Sequence, residues 1–407
     1  MADRVIIAGA GHAAGQAAVT LRQKKFDGEI VMIGEEPYYP YQRPPLSKKF
    51  LAGELPVERL HLKPDSYYAD AGIEVRLGTR IEAIDRRDRF VSVSSGAGLQ
   101  YDTLILATGA IVRRLSLPGT DLAGVHYLRN IQDVIRIREE LAPGRRMVVV
   151  GAGYIGLEVA AVACTLGLDV TVVEMEGRVM SRVVSPPVSH FYEKEHRSRG
   201  VTLKLSTGIS GFSGDGRVSA VELCNAEPLA ADLVLIGIGI EPQVGLATQA
   251  GLEVSNGIVV DDHCRTSDPR IYAIGDCTWH PNGIFGRNIR LESVHNALEQ
   301  ARTAAQNICG EDARYCDVPW FWSDQYDIKL QIAGLSQGHD QAVLRGDPDS
   351  RSFSCLYLKN GTLIAVDAIN CPKDFMQAKP LIAARASVSI GLLADPGIAL
   401  KDLGARD

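Results

Sequence analysis

Two stretches of this 407-residue chain carry residue types whose spacing suits one task, the binding of a dinucleotide diphosphate. In the first, Val5-Ile6-Ile7-Ala8 runs into Gly9-Ala10-Gly11-His12-Ala13-Ala14. In the second, Met147-Val148-Val149-Val150 runs into Gly151-Ala152-Gly153-Tyr154-Ile155-Gly156. The first glycine permits a tight turn and the second lets the backbone approach a pyrophosphate. The third position must be small, so that the following helix can pack on the strand. Ala14 takes that third place in the first stretch, a change the pattern tolerates. Each unit then reaches an acid at the end of a second apolar run. Glu35 follows Gly9 by 26 residues and Glu174 follows Gly151 by 23. Such an acid accepts hydrogen bonds from ribose hydroxyls while helix N-terminal N–H groups face the phosphates. One chain therefore binds two dinucleotides. A carboxylate at Glu174 also repels a 2′-phosphate, which favours NADH over NADPH, although Arg178 and Arg182 lie downstream and could receive one.

The elements that must position these residues follow from the same pattern. A short apolar strand precedes each glycine turn, and helices are expected over 16–23 and 157–166. The run Tyr101-Asp102-Thr103-Leu104-Ile105-Leu106 reads as a further strand ending in Ala107-Thr108-Gly109. Thr266 to Asp276 reads as a turn, a short buried strand and then Asp276 at the strand's C-terminal end, where ligands of open α/β sheets gather. The other role open to Asp276 is a helix N-cap. From about residue 320 the pattern changes to alternation, as in Lys329-Leu330-Gln331-Ile332-Ala333-Gly334 and Ser352-Phe353-Ser354-Cys355-Leu356-Tyr357-Leu358, which reads as antiparallel strands. Helical segments are expected after Asp374, ending near Leu393.

At roughly 150 residues per domain the length corresponds to two or three domains. Apolar residues at 46% and charged residues at 23% are ordinary globular usage, which excludes disordered and fibrous classes. A net charge of −6 argues against a general nucleic-acid binder. No apolar run is long enough to span a bilayer, and the N-terminal residues lack the pattern of a signal peptide, so a cytoplasmic location is expected. The eight cysteines (164, 224, 264, 277, 309, 316, 355 and 371) include no pair with two or four residues between them. That excludes local zinc and redox-dithiol spacings, and a disulfide scaffold would need a far denser set. No metal site is expected.

The two fingerprints, Ala107-Thr108-Gly109 and Tyr272-Ala273-Ile274-Gly275-Asp276 together resemble a two-dinucleotide flavoprotein of the glutathione-reductase-like superfamily. Three segments narrow the resemblance to the FAD-dependent NADH:ferredoxin reductases of bacterial oxygenase systems, the putidaredoxin-reductase type. They are Arg43-Pro44-Pro45-Leu46-Ser47-Lys48, Gly151 to Glu158, and Pro319-Trp320-Phe321-Trp322-Ser323-Asp324-Gln325-Tyr326. The resemblance implies an α/β fold with two Rossmann-like domains. The FAD domain is 1–111 and 241–319, the inserted NAD domain is 112–240, and a C-terminal α+β domain is 320–407. It further implies that FAD meets Gly9, Gly11, Ala13, Ala14 and Arg43, with Glu35 at the adenosine ribose and Ile81 against the adenine. Arg129 would lie near the diphosphate, Gly275-Asp276 at the ribitol, Val294 near the flavin ring and Trp322 close to the isoalloxazine. NADH would use Gly151, Gly153, Tyr154, Gly156, Glu174 and the Gly237-Ile238-Gly239 stretch. Where relatives often have Arg-Pro, this chain has Ile111-Val112, which removes a diphosphate contact from position 111 but leaves Arg113. His295 is also an unusual residue for its segment.

Disulfide-reducing members of the superfamily need two neighbouring cysteines beside the flavin, and here Arg43 to Lys48 occupies one such stretch. A thiolate relay is chemically unavailable. Electrons must then leave the flavin directly, and a flavin can take two from NADH and release them singly to an iron–sulfur protein. A Lys48–Glu158 pair beside the flavin is expected to tune it, because a buried carboxylate needs a cation. The other reading of Glu158 is a first-turn acid that complements the helix dipole, and that of Lys48 a surface lysine. Trp320 and Phe321 are expected in the core of the last domain. Arg287, Arg290, Lys329, Lys373 and Lys379 are candidates for a basic docking patch. The function expected is reduction of a [2Fe–2S] ferredoxin that feeds a P450 or a ring-hydroxylating dioxygenase. The alternatives are a quinone or radical reductase, and a redox-sensing interaction protein like apoptosis-inducing factor.

Overall fold

A computed structural model describes residues 3–403 of the chain. The chain divides into two compact units. The first is built from the segment up to Arg43, Val57–Ile111 and Ile240–Pro319. The second is built from Pro44–Pro56, Val112–Gly239 and the segment from Trp320 onward.

The first unit centres on a five-stranded parallel sheet in the order Ile271–Ala273, Thr103–Leu106, Arg4–Ala8, Glu29–Ile33, Ile73–Arg76. Its strands read as apolar runs because both faces are covered. On one face the helices His12–Gln23 and Val294–Ile308 pack through Ala14, Ala17, Ala18 and Leu21 against Ala297, Ala301, Ala304 and Ala305, small residues that let two helices approach closely. The opposite core cluster joins Ile6, Val31 and Leu104 to Val91 and Val93 of a small antiparallel sheet. The strand order reverses between Arg4–Ala8 and Thr103–Leu106, which places the turn at Gly9 at a topological switch point.

The second unit repeats the theme. Its parallel sheet runs Thr202–Lys204, Asp169–Val173, Arg146–Val150, Leu233–Ile236, Val125–Tyr127. All five strands fall in sequence between Thr103–Leu106 and Ile271–Ala273 of the first sheet, so one Rossmann-like fold is inserted in the other. The helix Tyr154–Thr165 buries Gly156, Leu157, Val159, Ala160, Ala161 and Ala163, and with them the carboxylate of Glu158. This unit also contains a five-stranded antiparallel sheet with the helix Pro372–Ala383 packed on it, the α+β portion. Arg345, almost fully buried, donates to the carbonyls of Leu393, Asp395 and Ile398 and pairs with Asp374, which anchors the end of the chain to the sheet.

Both fingerprint helices begin earlier than their apolar periodicity suggests, at His12 and Tyr154, because a glycine occupies each N-cap and the helix starts on the next residue. The two alternating runs are the strands Ile328–Gly334 and Ser352–Lys359. The last helical stretch is two helices, Pro372–Ala383 and Ile390–Ala394. Trp320 and Phe321 are not core residues. Both are half-buried, with Trp320 against Trp322 and Phe375, and Phe321 against Tyr154.

Gly9 is where the backbone itself demands glycine, with φ at +122° and a Cβ that would stand 2.3 Å from the Ala107 carbonyl oxygen. Gly9→Ala is expected to cost on the order of 1–3 kcal/mol of stability through strain and overpacking. Thermal denaturation of the flavin-free protein checks this, and a variant melting with the wild type would contradict it.

Candidate functional site

The first unit assembles its candidate site around the turn after Arg4–Ala8. Gly11 has extended backbone geometry, and a Cβ there would meet nothing within 4 Å. Neither backbone nor packing requires glycine at that point, so the open side suits close approach by a phosphate. Gly34, whose Cβ would fall 2.4 Å from that of Ala10, lets the end of Glu29–Ile33 abut the same turn. Glu35 then stands exposed, 3.9 Å from Arg80, with its carboxylate available to a ribose. Ala13 and Ala14 are buried against the sheet. Thr108 donates to the Gln243 carbonyl at 2.7 Å and the Gly109 carbonyl accepts from Gln243 N–H, which fixes the end of the neighbouring strand. Asp276 is not an N-cap. It is the second residue of the short 3-10 turn Gly275–Cys277, capped by Ile274, and the turn is held by Gly275 N–H on Gln300 at 2.7 Å.

His12, the first helical residue, was not singled out by sequence. Burial, reinforced by Arg43 and opposed by Asp276, lowers its pKa to about 4, so the imidazole is neutral at physiological pH. Arg43 is oriented by Glu36 at 2.5 Å and by the Tyr41 hydroxyl at 2.9 Å. Arg43, His12 and Asp276 thus share one electrostatic neighbourhood that starts one residue from the open Gly11, a cation, an imidazole and an acceptor that fit a flavin dinucleotide. Ile81 is buried at the start of its strand, and Val294 opens the helix capped by Ser293.

In the second unit Gly153 repeats the argument: extended backbone, and nothing within 4 Å of a Cβ. Gly239 is equally open. Gly156 answers to packing, since its Cβ would lie 2.1 Å from the Gly151 carbonyl oxygen. Glu174 is folded onto the turn, accepting from Ala152 N–H at 2.7 Å and Glu176 N–H at 2.9 Å. An acid at the rim of an open glycine turn fits the ribose of a pyridine dinucleotide. Arg178 does not stand ready for a 2′-phosphate, because its guanidinium donates to the carbonyls of Val184 and Ser181 and to Ser189, each at 2.6 Å. It braces one wall of a cleft of about 520 Å³ that exposed Arg182 also lines.

The same unit contains a buried charge centre. Lys48 Nζ lies 2.6 Å from Glu158 Oε2, with the carboxylate only 1% exposed. Ser47 donates to Oε2 at 2.5 Å and Ser323 to Oε1 at 2.6 Å. Burial raises the Glu158 pKa above the ordinary carboxylate range, against the pull of Lys48, Ser323 and Ser47. With three donors on two oxygens the group is held as a carboxylate. Ser47 and Ser323 were missed because hydroxyls in two distant segments carry no sequence signal of convergence.

Of the other implied positions, Arg129 and half-buried Trp322 belong to the second unit, as Lys48 does. The Arg129 N–H bonds Asp133, next to the capping box at Asn130. Ile111 is 49% exposed. His295 has its Nε2 3.5 Å from Asp317. Among the docking candidates, Arg290 is engaged by Glu292 and Asn256, and Lys379 lies over the rings of Trp320 and Phe375, whereas Arg287, Lys329 and Lys373 are exposed. Metal-ligating side chains do gather at Asp261, Asp262 and His263, but both ring nitrogens of His263 already face carboxylates, at 2.8 Å to Asp262 and 2.7 Å to Asp312.

Two open glycine turns, each with an acid at its rim, fit a protein that holds two dinucleotides. Residues 3–301 match the family described as pyridine nucleotide-disulphide oxidoreductase, and residues 320–404 the reductase C-terminal family. A ferredoxin–NAD(P)+ reductase of a Sphingomonas species is 46% identical over 98% of this chain and 97% of its own length. The ferredoxin reductase subunit of 5,5′-dehydrodivanillate O-demethylase from a Sphingobium species is 45% identical over 98% of each. The reductase in a covalent putidaredoxin reductase–putidaredoxin complex superposes with a TM-score of 0.96, at 42% identity and 98% coverage of both chains. The chain belongs to the pyridine nucleotide-disulphide oxidoreductases and, within them, to the FAD- and NAD-using ferredoxin reductases.

Glu174→Gln keeps the side chain's shape but removes the repulsion of a 2′-phosphate. It is expected to lower kcat/KM for NADH about tenfold, one bond to a charged acceptor being worth about 1.5 kcal/mol or more. The preference for NADH over NADPH narrows at the same time. Steady-state kinetics with both nucleotides checks it, and an unchanged ratio would remove Glu174 from the specificity argument.

Proposed function

We propose that this chain oxidises NADH, through bound FAD, and reduces a [2Fe–2S] ferredoxin that feeds a P450 or a ring-hydroxylating dioxygenase. The observation that carries the reading is the pairing of two dinucleotide turns with eight cysteines that are all free. Burial raises the thiol pKa values of Cys264, Cys277 and Cys355, so these are inert rather than a relay. FAD, when bound, supplies the conversion of a two-electron donor into single-electron delivery.

The chain's own residues bind and orient. The turns at Gly9–Ala14 and Gly151–Gly156 present N–H groups to the two diphosphates. Glu35 and Glu174 orient the adenosine riboses, and Asp276, Arg43, Ala107-Thr108-Gly109, Ile81 and Val294 seat the flavin nucleotide. Arg129 serves the diphosphate and Trp322 the flavin ring. Gly237, Gly239 and Tyr154 complete the NADH site. In this reading 1–111 with 241–319 is the FAD domain, 112–240 the NAD domain and 320–407 the α+β domain. The Lys48 ammonium, held by Glu158, favours the reduced, more anionic form of the ring. We place the protein in the cytoplasm, where free cysteines remain reduced.

Anaerobic stopped-flow mixing with NADH, followed by candidate [2Fe–2S] ferredoxins, tests the reading. Rapid bleaching and rapid one-electron delivery are expected. Added salt should slow ferredoxin reduction while leaving ferricyanide reduction nearly unchanged, because only protein docking is steered by charge. Sluggish bleaching would favour a redox sensor, and turnover indifferent to ferredoxin a quinone or radical reductase. Lys48→Met is expected to lower the flavin's midpoint potential and slow its reduction about tenfold or more, the scale of losing one oriented charge. A spectroelectrochemical titration indistinguishable from wild type would defeat the tuning role.

A further inference from the structure

Asp367, in the strand Thr362–Ile369, has no exposed surface, and among the described residues no lysine, arginine or histidine forms an ion pair with it. Its Oδ2 accepts from the Tyr357 hydroxyl, whereas Oδ1 is buried without a donor. Tyr357 Oη in turn accepts from Ser185 N–H at 3.1 Å and lies 3.0 Å from Ser185 Oγ, which is 3.2 Å from the Cys355 sulfur. The result is a chain of hydroxyl and thiol groups ending on a carboxyl group, with no cation in it. A carboxylate so placed has little to offset its desolvation, whereas the neutral carboxylic acid costs far less to bury.

Other groups face this one from each packed element. Tyr357 and Cys355 come from the adjacent strand, with exposed His339 against the Tyr357 ring. Tyr192 comes from the helix Pro186–Ser198, and its buried hydroxyl also lacks a partner. Tyr154 and Glu158 come from the helix Tyr154–Thr165. After burial, Asp367 is the strongest influence holding the phenols of both Tyr154 and Tyr192 neutral, and Glu158 acts on the same two. Asp324 and Glu195 act on Tyr192 alone. Every one of these neighbours is acidic or neutral apart from His339, so burial without a counter-ion lifts the Asp367 pKa to about 7 against the pull of Tyr357.

We propose that Asp367 is a positioning residue for the pyridine-nucleotide side of the reaction: a buried carboxylic acid, in one cross-strand row with Ile332 and with Phe321, whose ring packs on Tyr154, and its ionisation changes the field at Tyr154. Tyr154 belongs to the proposed NADH site, and a buried negative charge acting on it works against an anionic dinucleotide. The neutral acid is therefore the state that supports turnover, and loss of its proton to solvent is the state that slows it.

The test uses the FAD-loaded full chain, wild type and Asp367→Asn, with Tyr357→Phe as a second variant. Infrared spectra should show a protonated-carboxyl band in the wild type that is absent in Asp367→Asn and disappears as pH rises through about 7. The sign for stability follows from a raised folded-state pKa: the acid's contribution is intact below its unfolded value and is lost as pH climbs through the folded one. The melting temperature of Asp367→Asn should therefore gain on that of wild type between about pH 4 and pH 8. Tyr357→Phe removes the donor to Oδ2 and should move the infrared midpoint up by about one unit, a tenfold change in the protonation constant. The rate of flavin bleaching by NADH should fall as pH rises through about 7 in wild type and not in Asp367→Asn. Only this kinetic arm rests on the proposed function. No titrating band, or a flat difference in melting temperature, overturns the neutral acid. A titrating band with identical rate profiles in both proteins overturns its coupling to Tyr154.

Discussion

The carboxylate of Glu158 sets a condition that three separate segments of the second unit must meet. A buried anion stripped of its donors costs about 3–5 kcal/mol, so its surroundings cannot be loosely arranged. The helix Tyr154–Thr165 supplies the acid, the turn Pro44–Ser47 and the residue after it supply Ser47 and Lys48, and the strand Trp320–Gln325 supplies Ser323. Lys48 also donates to the carbonyl of Pro44 at 3.2 Å, closing the turn on itself. This explains why Pro44–Pro56 groups with the second unit although both its chain neighbours belong to the first. Phe50, beneath the guanidinium of Arg138, adds an apolar anchor to the ionic one.

The two nucleotide turns show how one backbone solution takes different side chains. Gly9 and Gly151 both adopt positive φ, at +122° and +102°, and both press against a neighbouring strand end. The third position diverges, with Ala14 buried in the first unit and Gly156 forced by the Gly151 carbonyl in the second. The acids diverge as well. Glu35 is left in solvent, whereas Glu174 is drawn onto its own turn by two backbone N–H groups.

Much of this was legible in the sequence, because the signals are local. A strand, a glycine turn and a small-residue helix lie within about 20 contiguous residues, and their physics is that of a backbone meeting a phosphate. The antiparallel sheet was legible for a similar reason, through its alternating pattern, although Ser352–Lys359 is buried on both faces. Side-chain convergence across long separations was not. Ser47, Ser323 and Asp367 are ordinary residue types whose importance arises only from what they meet. Trp320 and Phe321 misled because large rings suggest a core, yet both are only half-buried. Arg178, left open as a receiver for a 2′-phosphate, has its guanidinium on backbone carbonyls and Ser189 instead, in keeping with the preference for NADH.

Each unit is assembled from three stretches of chain, and neither is contiguous. The strand Ile271–Ala273, which completes the first parallel sheet, is some 165 residues beyond its partner Thr103–Leu106. During synthesis the first sheet therefore waits, one edge bare, while the whole inserted sheet is made. Non-local pairings of this kind fold slowly and leave apolar strand edges transiently exposed. Nascent chains halted near residue 240 would be sticky intermediates, and chaperone demand during expression should track the time ribosomes spend between those two strands.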